Sequence, residues 1–459
     1  MDLNLLFVPV FLPLAMGVLI FIIPRAVSRL QGLLTLLTTA AVFTAAVLIF
    51  LKGSADFHFP LFEIGRFILS FDLLVTPLSS FILIFVGGFG FLISLYSLFY
   101  MMGKARLKEY YGFFLFALAG AAGVLMADHF IIFLIFWEFV TASLYFLITT
   151  GGPETKAGST KTFAMLGGVD GCLLLGIGIL WYLSNSFTIS GIHIAVEGWL
   201  SGLAFILIMV AAVTKAGAMP FHSWIPAASE GAPAPVMAFL PAALDKLLGI
   251  YLLVKITTTI FTLTSAMGLV LMIIGAVTVL AAVMVAMVQH DLRRLLSYHA
   301  ISQVGYMVLG IGTLTPIGIA GGLFHMLNHS IYKSCLFLCG GAVEKKAKTN
   351  ELGELGGLAR VMPVTFAACL VAALANAGVS TGRDLSAEPA CLESQFRGGN
   401  LALKHLFLSL ETMSVEEVSV EFKGPGELTD SQGNLYSGII TKENIFPYPA
   451  ATLIVDKEG

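Results

Sequence analysis

Six residues that can bind and release a proton lie within long apolar stretches of the sequence. They are Glu138, Lys215, Lys246, His325, His329 and Lys333. Ionisable groups at membrane depth are costly, and those that proteins keep there usually face a path for ions or protons. Carboxyl, amine and imidazole groups can pass a proton along such a path, because each has a protonated and a deprotonated form. We therefore interpret the six as a candidate proton relay.

Glu138 and Lys215 have informative surroundings. Glu138 lies in HFIIFLIFWEFVTASLYFLIT, a run that is long enough to cross a bilayer. Lys215 lies in AAVTKAGAMPFHSWIP, where one glycine and two prolines follow it, so we expect the helix to break near the lysine. Interrupted helices in membranes usually line ion sites. The alternative is a helix that ends at Ala216, with the lysine extending to the membrane surface.

Lys246 has about eight apolar residues on each side in PAPVMAFLPAALDKLLGIYLLVKI, which places it too deep to reach water easily. Its neighbour Asp245 points about 100° away on a helix, so the two cannot both face one partner. We expect one of them to pair with another helix while the other relays protons. A static buried ion pair is the alternative.

His325, His329 and Lys333 follow one another at intervals of four residues in GGLFHMLNHSIYKSCLFLCGG. This spacing stacks them on one helix face, about 6 Å apart at each step. Two imidazoles leading to an amine form a plausible proton wire, although a buried histidine can also be an ordinary core residue. The sequence predicts no metal site here, because the ligands that would have to converge on an ion are not apparent.

Several weaker candidates accompany these six. Asp170 is interpreted either as a relay member or as a hydrogen-bond acceptor between helices. His222, Trp224 and Glu230 follow the expected break, where anchoring at the membrane interface is the default. For His299 a local polar contact is expected.

The composition indicates a membrane protein with many spans. Of 459 residues, 58% are hydrophobic and 12% are charged, against about 25% charged in soluble domains. With about 20 apolar residues per span, the sequence predicts an all-α polytopic protein with about twelve transmembrane helices. They are placed near 3–23, 30–51, 73–102, 110–127, 129–149, 162–184, 199–219, 233–260, 263–289, 296–314, 317–341 and 360–380.

Orientation follows from the distribution of Lys and Arg. Loops after odd-numbered spans hold thirteen of these residues, and loops after even-numbered spans hold three. This bias predicts cytoplasmic odd loops and an N-terminus outside the cell membrane, the inner membrane in a bacterium. The first span has no preceding basic region and no small-residue cleavage site, so we expect it to be retained.

Residues 381–459 differ from the rest of the chain. They contain 6 Lys and Arg against 12 Asp and Glu, which predicts a small acidic soluble tail. Within it, VEEVSVEFKG and NLYSGIITK alternate polar and apolar residues and predict a few β-strands. Elsewhere no phosphate-binding loop, dinucleotide motif, iron–sulfur cysteine pattern or basic nucleic-acid surface is found. The sequence therefore predicts no cofactor, no metal and no nucleic-acid partner.

Four strings in the sequence resemble one known family. They are FWEFVTASLYFLI, TKAGAMPFHSWIPAASEGAPAPVMAFLPAALDKLLGIY, QHDLRRLLSYHAISQVGYM and HMLNHSIYKSCLFLCGG. They are similar to the antiporter-like subunits shared by respiratory complex I, membrane-bound hydrogenases of the formate-hydrogenlyase type and Mrp cation/proton antiporters. The resemblance covers roughly residues 70–380. It implies about fourteen helices, with two inverted repeats of about five helices that each contain one broken helix.

The resemblance also implies roles for the candidate residues. Glu138 matches the acid of the fifth helix, Lys215 the lysine of the broken seventh, Lys246 the relay residue of the eighth, and His325, His329 and Lys333 the group on the eleventh. In this family the Glu–Lys pair works electrostatically, because protonation of one member changes the charge state of the other. In a redox-driven complex of this family, the chain itself would carry ions while partner subunits carry electrons.

The sequence departs from the family after MPVTFAACLVAALANAGVS. The family continues with a Pro-Pro break, an Asn-Gly-Phe stretch and a charged residue, whereas this chain reads TGRDLSAEPACLESQFRGGN. We therefore expect a truncated second repeat. The predicted parts are N-terminal transmembrane helices (1–102), a first repeat with a Glu/Lys half-channel (103–260), an incomplete second repeat (261–380) and the acidic tail (381–459), which is either an appended domain or a rearranged gene end.

Taken together, these features predict a proton-translocating subunit of a redox-driven membrane complex of the complex I or hydrogenase type. Its expected partners are other membrane subunits, the lipid bilayer and protons, with Na⁺ as a second candidate ion. One alternative is a subunit of an Mrp-type Na⁺/H⁺ antiporter, which involves no redox step. Another is an inactive scaffold.

Overall fold

A computed structural model describes residues 3–24, 27–65, 67–377, 421–424, 427–429, 435–437 and 456–457. The chain divides into two units, Met1–Gln395 and Phe396–Gly459. The first unit contains the helices and every candidate site residue. The second unit contains short strands.

Fifteen helices occur in the described part of the first unit. They are α1 (Leu3–Ile22), α2 (Ser28–Lys52), α3 (Pro77–Tyr100), α4 (Leu107–Met126), α5 (Phe130–Thr149), α6 (Lys156–Ser184), α7 (Trp199–Ala216), α8 (Trp224–Ser229), α9 (Ala234–Phe239), α10 (Asp245–Lys255), α11 (Ser265–Met287), α12 (Leu292–Gly312), α13 (Pro316–Ala347), α14 (Leu358–Val361) and α15 (Pro363–Asn376). Single 3₁₀ turns lie at Pro153–Thr155, Ile189–Gly191 and Leu352–Glu354.

Nine spans in the described residues are long and apolar enough to cross a membrane, so the prediction of a helical multi-pass protein is confirmed. The eighth of these spans, Ala234–Ile260, combines α9, α10 and two short π-helical segments. The number twelve is not confirmed. α12 and α13 are long but carry several charged and polar residues, and α15 has only 14 residues.

An antiparallel hairpin between α2 and α3 was not predicted. Its strands are β1 (Ala55–Ile64) and β2 (Phe67–Val75). The expected third span, 73–102, therefore begins too early, because residues 73–75 pair with β1. α3 starts at Pro77, where the Thr76 side chain accepts a hydrogen bond from the Ser79 backbone and proline fits the first turn.

The predicted break after Lys215 is confirmed. α7 ends at Ala216, and Gly217 adopts a left-handed conformation with φ of 92° that glycine tolerates without strain. A Cβ atom at this position would also lie 2.2 Å from Cδ1 of Ile225. Helical structure resumes only at α8. The carbonyl groups at the C-terminal end of α7 therefore have no following helical turn to bind them.

Residues 234–254 of the segment Ala234–Ile260 are all buried inside the protein, whereas Thr258 near its end is exposed. A π-helical turn, Leu240–Leu244, separates α9 from α10 and contains Pro241, which has no N–H to donate. α10 approaches α7 closely at Gly249, where a Cβ atom would lie 2.5 Å from the backbone nitrogen of Ala216. The glycine thus brings the start of α10 against the end of α7.

The remaining strands are short. β3 (Ile194–Ala195) and β4 (Phe261–Thr262) form a parallel pair in the first unit. In the second unit, β5 (Glu421–Gly424), β6 (Glu427–Thr429), β7 (Leu435–Ser437) and β8 (Asp456–Lys457) form one sheet in that order. Strands β5 and β7 lie in the two alternating segments, which confirms the prediction of β-structure in the tail.

Candidate functional site

Lys215 lies at the end of α7 with only 1% of its surface exposed. Its Nζ donates to Thr141 Oγ1 at 2.7 Å and to the carbonyl of Trp137 at 3.4 Å. The same atom lies 4.8 Å from the centre of the Trp137 ring, within the range of a cation–π contact. The ammonium group therefore points into the protein between α5 and α7, and not toward the membrane surface.

Asp245 provides the ion-pair partner of Lys215. Its Oδ1 lies 3.9 Å from the lysine Nζ, and both side chains are buried. Asp245 is the first residue of α10, so the pair connects α10 with α7. The expectation that only one of Asp245 and Lys246 pairs with another helix is wrong, because both residues contact the end of α7: Asp245 lies near Lys215 and Lys246 donates to the carbonyl of Ala216.

Asp170 on α6 is joined to the same cluster through α5. Its Oδ1 accepts a hydrogen bond from Trp137 Nε1 at 2.6 Å, and its Oδ2 lies 3.3 Å from Thr141 Oγ1. The interpretation of Asp170 as a hydrogen-bond acceptor between helices is confirmed. Thr141 thus lies between an acid and a base, since it also contacts Lys215.

Glu138 lies near this cluster, but within the described residues neither an ion pair nor a hydrogen bond joins it to Lys215. Trp137 and Thr141 are four residues apart and share the face of α5 that meets the lysine, whereas a neighbouring residue points about 100° away. Glu138 is partly buried, and the charges of Asp170 and Lys215 act on it electrostatically. Its coupling to Lys215 is therefore through space, and the functional pairing of the two residues stays a prediction.

Lys246 binds to the C-terminal end of α7. Its Nζ donates to the carbonyl of Ala216, the last residue of that helix, at 2.5 Å. Carbonyl groups at a helix C-terminus lack partners within the helix and carry partial negative charge, so they favour a cation. The Nζ also lies 5.6 Å from the centre of the Trp224 ring. The break in the seventh span thus creates the binding position of the second lysine.

His329 and Lys333 are buried on α13, and His325 is partly buried on the same helix. One uninterrupted helix carries all three, as their spacing predicted. Neither ring nitrogen of His329 has a hydrogen-bond partner among the described residues. The charges of Lys333 and Lys246 both act on this imidazole. The α13 group therefore lies within electrostatic range of α10, although no hydrogen bond joins His329 to Lys246 among the described residues.

The six candidates thus fall into two neighbouring clusters. Lys215, Lys246 and, through space, Glu138 surround the end of α7, while the other three lie along α13. Ser334 anchors α13 beside the first cluster, because its hydroxyl donates to the carbonyl of Ala238 on α9 at 2.8 Å. Sequence analysis overlooked Thr141, whose only sequence indication was its position four residues after Trp137 in an apolar helix.

His299 on α12 makes the local polar contact that the sequence predicted. Its Nε2 lies 3.1 Å from the Asn376 side chain at the end of α15. Its Nδ1 is buried without a partner in the part of the chain that the structure describes. The charge of Lys333 acts on His299, so α12 lies within range of the α13 group.

A cavity of about 170 Å³ lies beside α8 and is lined by residues that include Lys161, Glu230, Arg294 and Tyr298. Arg294 pairs with Glu230 at 3.3 Å at its edge. His222 lies nearby, and burial lowers its pKa while the charge of Lys161 acts in the same direction. The charged lining of the cavity comes from the lysine, the arginine and the glutamate.

A buried arginine holds the segment between α8 and α9 in place. Arg293 donates to the carbonyl of Ala232 at 2.9 Å and forms an ion pair with Glu344 on α13. These contacts tie the chain that follows the break to the helix that carries His329. No group of three or more His, Cys, Asp or Glu residues suited to a metal ion occurs within the described residues.

Comparison with known proteins agrees with this arrangement. Residues 127–413 match the model of the family described as NADH:quinone oxidoreductase/Mrp antiporter, TM. This match covers more than half of the chain. The chain belongs to this family. Residues 61–111 also match a model described as NADH-Ubiquinone oxidoreductase (complex I), chain 5 N-terminus. The main match extends beyond residue 380, where the resemblance was expected to end.

Two relatives are an Na(+)/H(+) antiporter subunit and a chain of an Mrp complex. The chain is 30% identical over 417 residues to Na(+)/H(+) antiporter subunit A1 of Staphylococcus aureus, a match that covers 86% of this chain and 52% of that protein. It therefore spans about half the length of that relative. A chain of the Mrp complex from Dietzia sp. DQ12-45-1b has 25% identity and a TM-score of 0.76, with 90% of this chain and 79% of that chain covered.

A second solved structure supports the fold alone. A chain of the membrane-bound sulfane sulfur reductase, an archaeal respiratory membrane complex, has 22% identity and a TM-score of 0.71. The match covers 88% of this chain and 84% of that chain. The family fold thus occurs in an antiporter complex and in a respiratory complex.

Proposed function

We propose that this family member is a proton-translocating subunit of a multisubunit membrane complex. The observation that carries the proposal is the buried charge cluster at the broken end of α7. Lys215 lies there between Thr141 and Asp245, and Lys246 binds the terminal carbonyl of the same helix. Buried ionisable groups beside an interrupted membrane helix usually mark an ion or proton path.

In this proposal the broken helix couples the two lysines. A charge on Lys246 is stabilised by the carbonyl end of α7, and Lys215 belongs to the last turn of that helix. A change in the charge of one lysine therefore alters the electrostatic environment of the other. Glu138 interacts electrostatically with Lys215 without a direct bond. On α13, His329 interacts in the same way with Lys333 and with Lys246.

The complex would be either redox-driven or a cation/proton antiporter. The first, in which partner subunits carry the electrons, is the function that the sequence resemblance predicts. The Na(+)/H(+) antiporter subunit among the relatives favours the second. In both cases we place the chain in the cell membrane, the inner membrane in a bacterium, with its N-terminus outside as the distribution of basic residues predicts.

Lys215→Met in the assembled complex tests the proposal. Inverted membrane vesicles would be energised either with the electron donor of the complex or with an imposed pH gradient and Na⁺, and pH change would be followed with a fluorescent dye. We expect Lys215→Met to abolish proton movement while the subunit remains in the membrane. Lys255→Met is the matched control, because that lysine lies at the far end of α10 and contacts Tyr251.

The outcome that rejects the proposal is proton movement at the wild-type rate in Lys215→Met vesicles that contain normal amounts of the subunit. The two energising conditions also separate the two kinds of complex. Activity only with an electron donor supports a redox-driven pump, and activity only with a gradient and Na⁺ supports an antiporter.

A further inference from the structure

Asp245 is a fully buried acid with an unusual lack of hydrogen bonds. It is 0% exposed, and neither carboxylate oxygen has a hydrogen-bond partner among the described residues. Buried carboxylates are normally hydrogen-bonded, and the exceptions need an explanation. Lys215 at 3.9 Å is close enough for an ion pair but too far for a hydrogen bond. Asp245 thus lies near Lys215 without a hydrogen bond to it.

The backbone brings this acid to the end of α7. The π-helical turn Leu240–Leu244 precedes Asp245 and changes the rotation of the residues that follow it. Adjacent residues of α10 then meet adjacent residues of α7, since Asp245 lies against Lys215 and Lys246 binds the carbonyl of Ala216. π-helical turns are frequent at functional sites for this reason.

The charged groups around Asp245 come from three helices. Lys215 on α7 and Lys246 on α10 both attract its carboxylate, while Asp170 on α6 repels it. Glu138 on α5 interacts electrostatically with Lys215 and Asp170. Asp245 is therefore an acid on which the charges of both lysines act, Lys215 from the end of α7 and Lys246 from the next position of α10.

We propose that Asp245 carries protons between Lys215 and Lys246, an inference that rests on the proposed function. The Lys215 ammonium turns from Thr141 toward Asp245, where an N–H bond breaks and an O–H bond forms, leaving a neutral amine and a neutral carboxyl group. The O–H bond then breaks as an N–H bond forms on neutral Lys246. The carboxylate is restored, and one proton has moved with no redox change.

Substitution of Asp245 in the assembled complex tests this role. Asp245→Asn should lower the proton-translocation rate to about a tenth of wild type or less, because a positioned proton-transfer group typically contributes roughly 10²-fold or more. Asp245→Glu keeps a carboxyl group and should retain most of the rate. Asp128→Asn is the control, since that buried carboxylate lies outside the cluster and is bound by the backbone and hydroxyl of Ser190.

The failure of this inference differs from the failure of the proposed function. If Lys215→Met stops translocation while Asp245→Asn keeps the wild-type rate and pH profile, Asp245 carries no proton and only this inference is rejected. If Asp245→Asn does not assemble, infrared difference spectra of wild type and Asp245→Glu test whether the carboxyl group is protonated during turnover. The proposal requires a carboxyl band that appears on turnover and shifts in the glutamate variant, and an unshifted spectrum overturns it.

Discussion

Thr141→Val removes one hydroxyl from the site while keeping the size of the side chain. That hydroxyl accepts the short hydrogen bond from Lys215, 2.7 Å long, and also lies 3.3 Å from Asp170. The substitution therefore leaves the lysine with the carbonyl of Trp137 and with Asp245 as its remaining partners. We expect the ammonium group to shift toward Asp245.

The size of this shift can be worked out from the distances. A hydrogen bond to a charged group contributes about 1.5–3 kcal/mol, and the attraction between Lys215 and Asp245 at 3.9 Å is about 4 kcal/mol at an effective dielectric constant of about 20. Because the two terms are of similar size, the lysine is balanced between its partners. Loss of about 2 kcal/mol on one side changes the distribution about 30-fold.

The rate of proton translocation in vesicles measures the consequence. We expect Thr141→Val to lower it severalfold and at most about 30-fold, because return of the lysine to α5 becomes unfavourable by about 2 kcal/mol. Thr141→Ser keeps the hydroxyl and should stay near the wild-type rate. Ser143→Ala is the matched control on α5, since its hydroxyl donates only within the helix, to the carbonyl of Phe139.

The comparison between valine and serine decides the outcome. Equal rates in Thr141→Val and Thr141→Ser, at equal amounts of assembled complex, would show that the hydroxyl does not hold Lys215 in the working protein. A loss of rate in Ser143→Ala as large as that in Thr141→Val would instead attribute the effect to the packing of α5.

Three further substitutions test separate parts of the site. Gly217→Ala should destabilise the protein by about 1–2 kcal/mol, because φ is 92° there, whereas Gly178→Ala on α6, where a Cβ meets open space, should not lower the melting temperature. Lys246→Arg should be nearly as damaging to translocation as Lys246→Met, since arginine is charged but does not release its proton; full activity with arginine would mean that charge alone is needed. Glu138→Gln should strongly reduce translocation without loss of the subunit from the membrane, and a wild-type rate would exclude its coupling to Lys215.

The broad features of the fold could be predicted because they depend on composition and local sequence. Long apolar runs must form helices in a bilayer, where backbone groups have no water to bind. The end of α7 followed from glycine and prolines next to Lys215, which act on the backbone wherever the helix packs. The shared face of His325, His329 and Lys333 followed from helical periodicity alone.

The β1–β2 hairpin shows where local sequence was insufficient. Its second strand reads FILSFDLLV and runs into the apolar sequence of α3, so hydrophobicity does not separate strand from helix. The boundary is set by Thr76 and Pro77, which cap the helix, and by pairing with β1. Strand pairing joins residues that are distant in the sequence, and a short apolar run does not reveal it.

By itself, the sequence determined the membrane setting, the broken helix and which residues can carry protons at depth. Tertiary structure alone decided their partners. Lys215 meets Thr141 and Asp245 and not Glu138, because such contacts depend on the rotation of each helix about its axis. For α10, the π-helical turn Leu240–Leu244 changes the rotation of the residues that follow it, and the close approach at Gly249 brings α10 against α7, a helix that is not its neighbour in the chain.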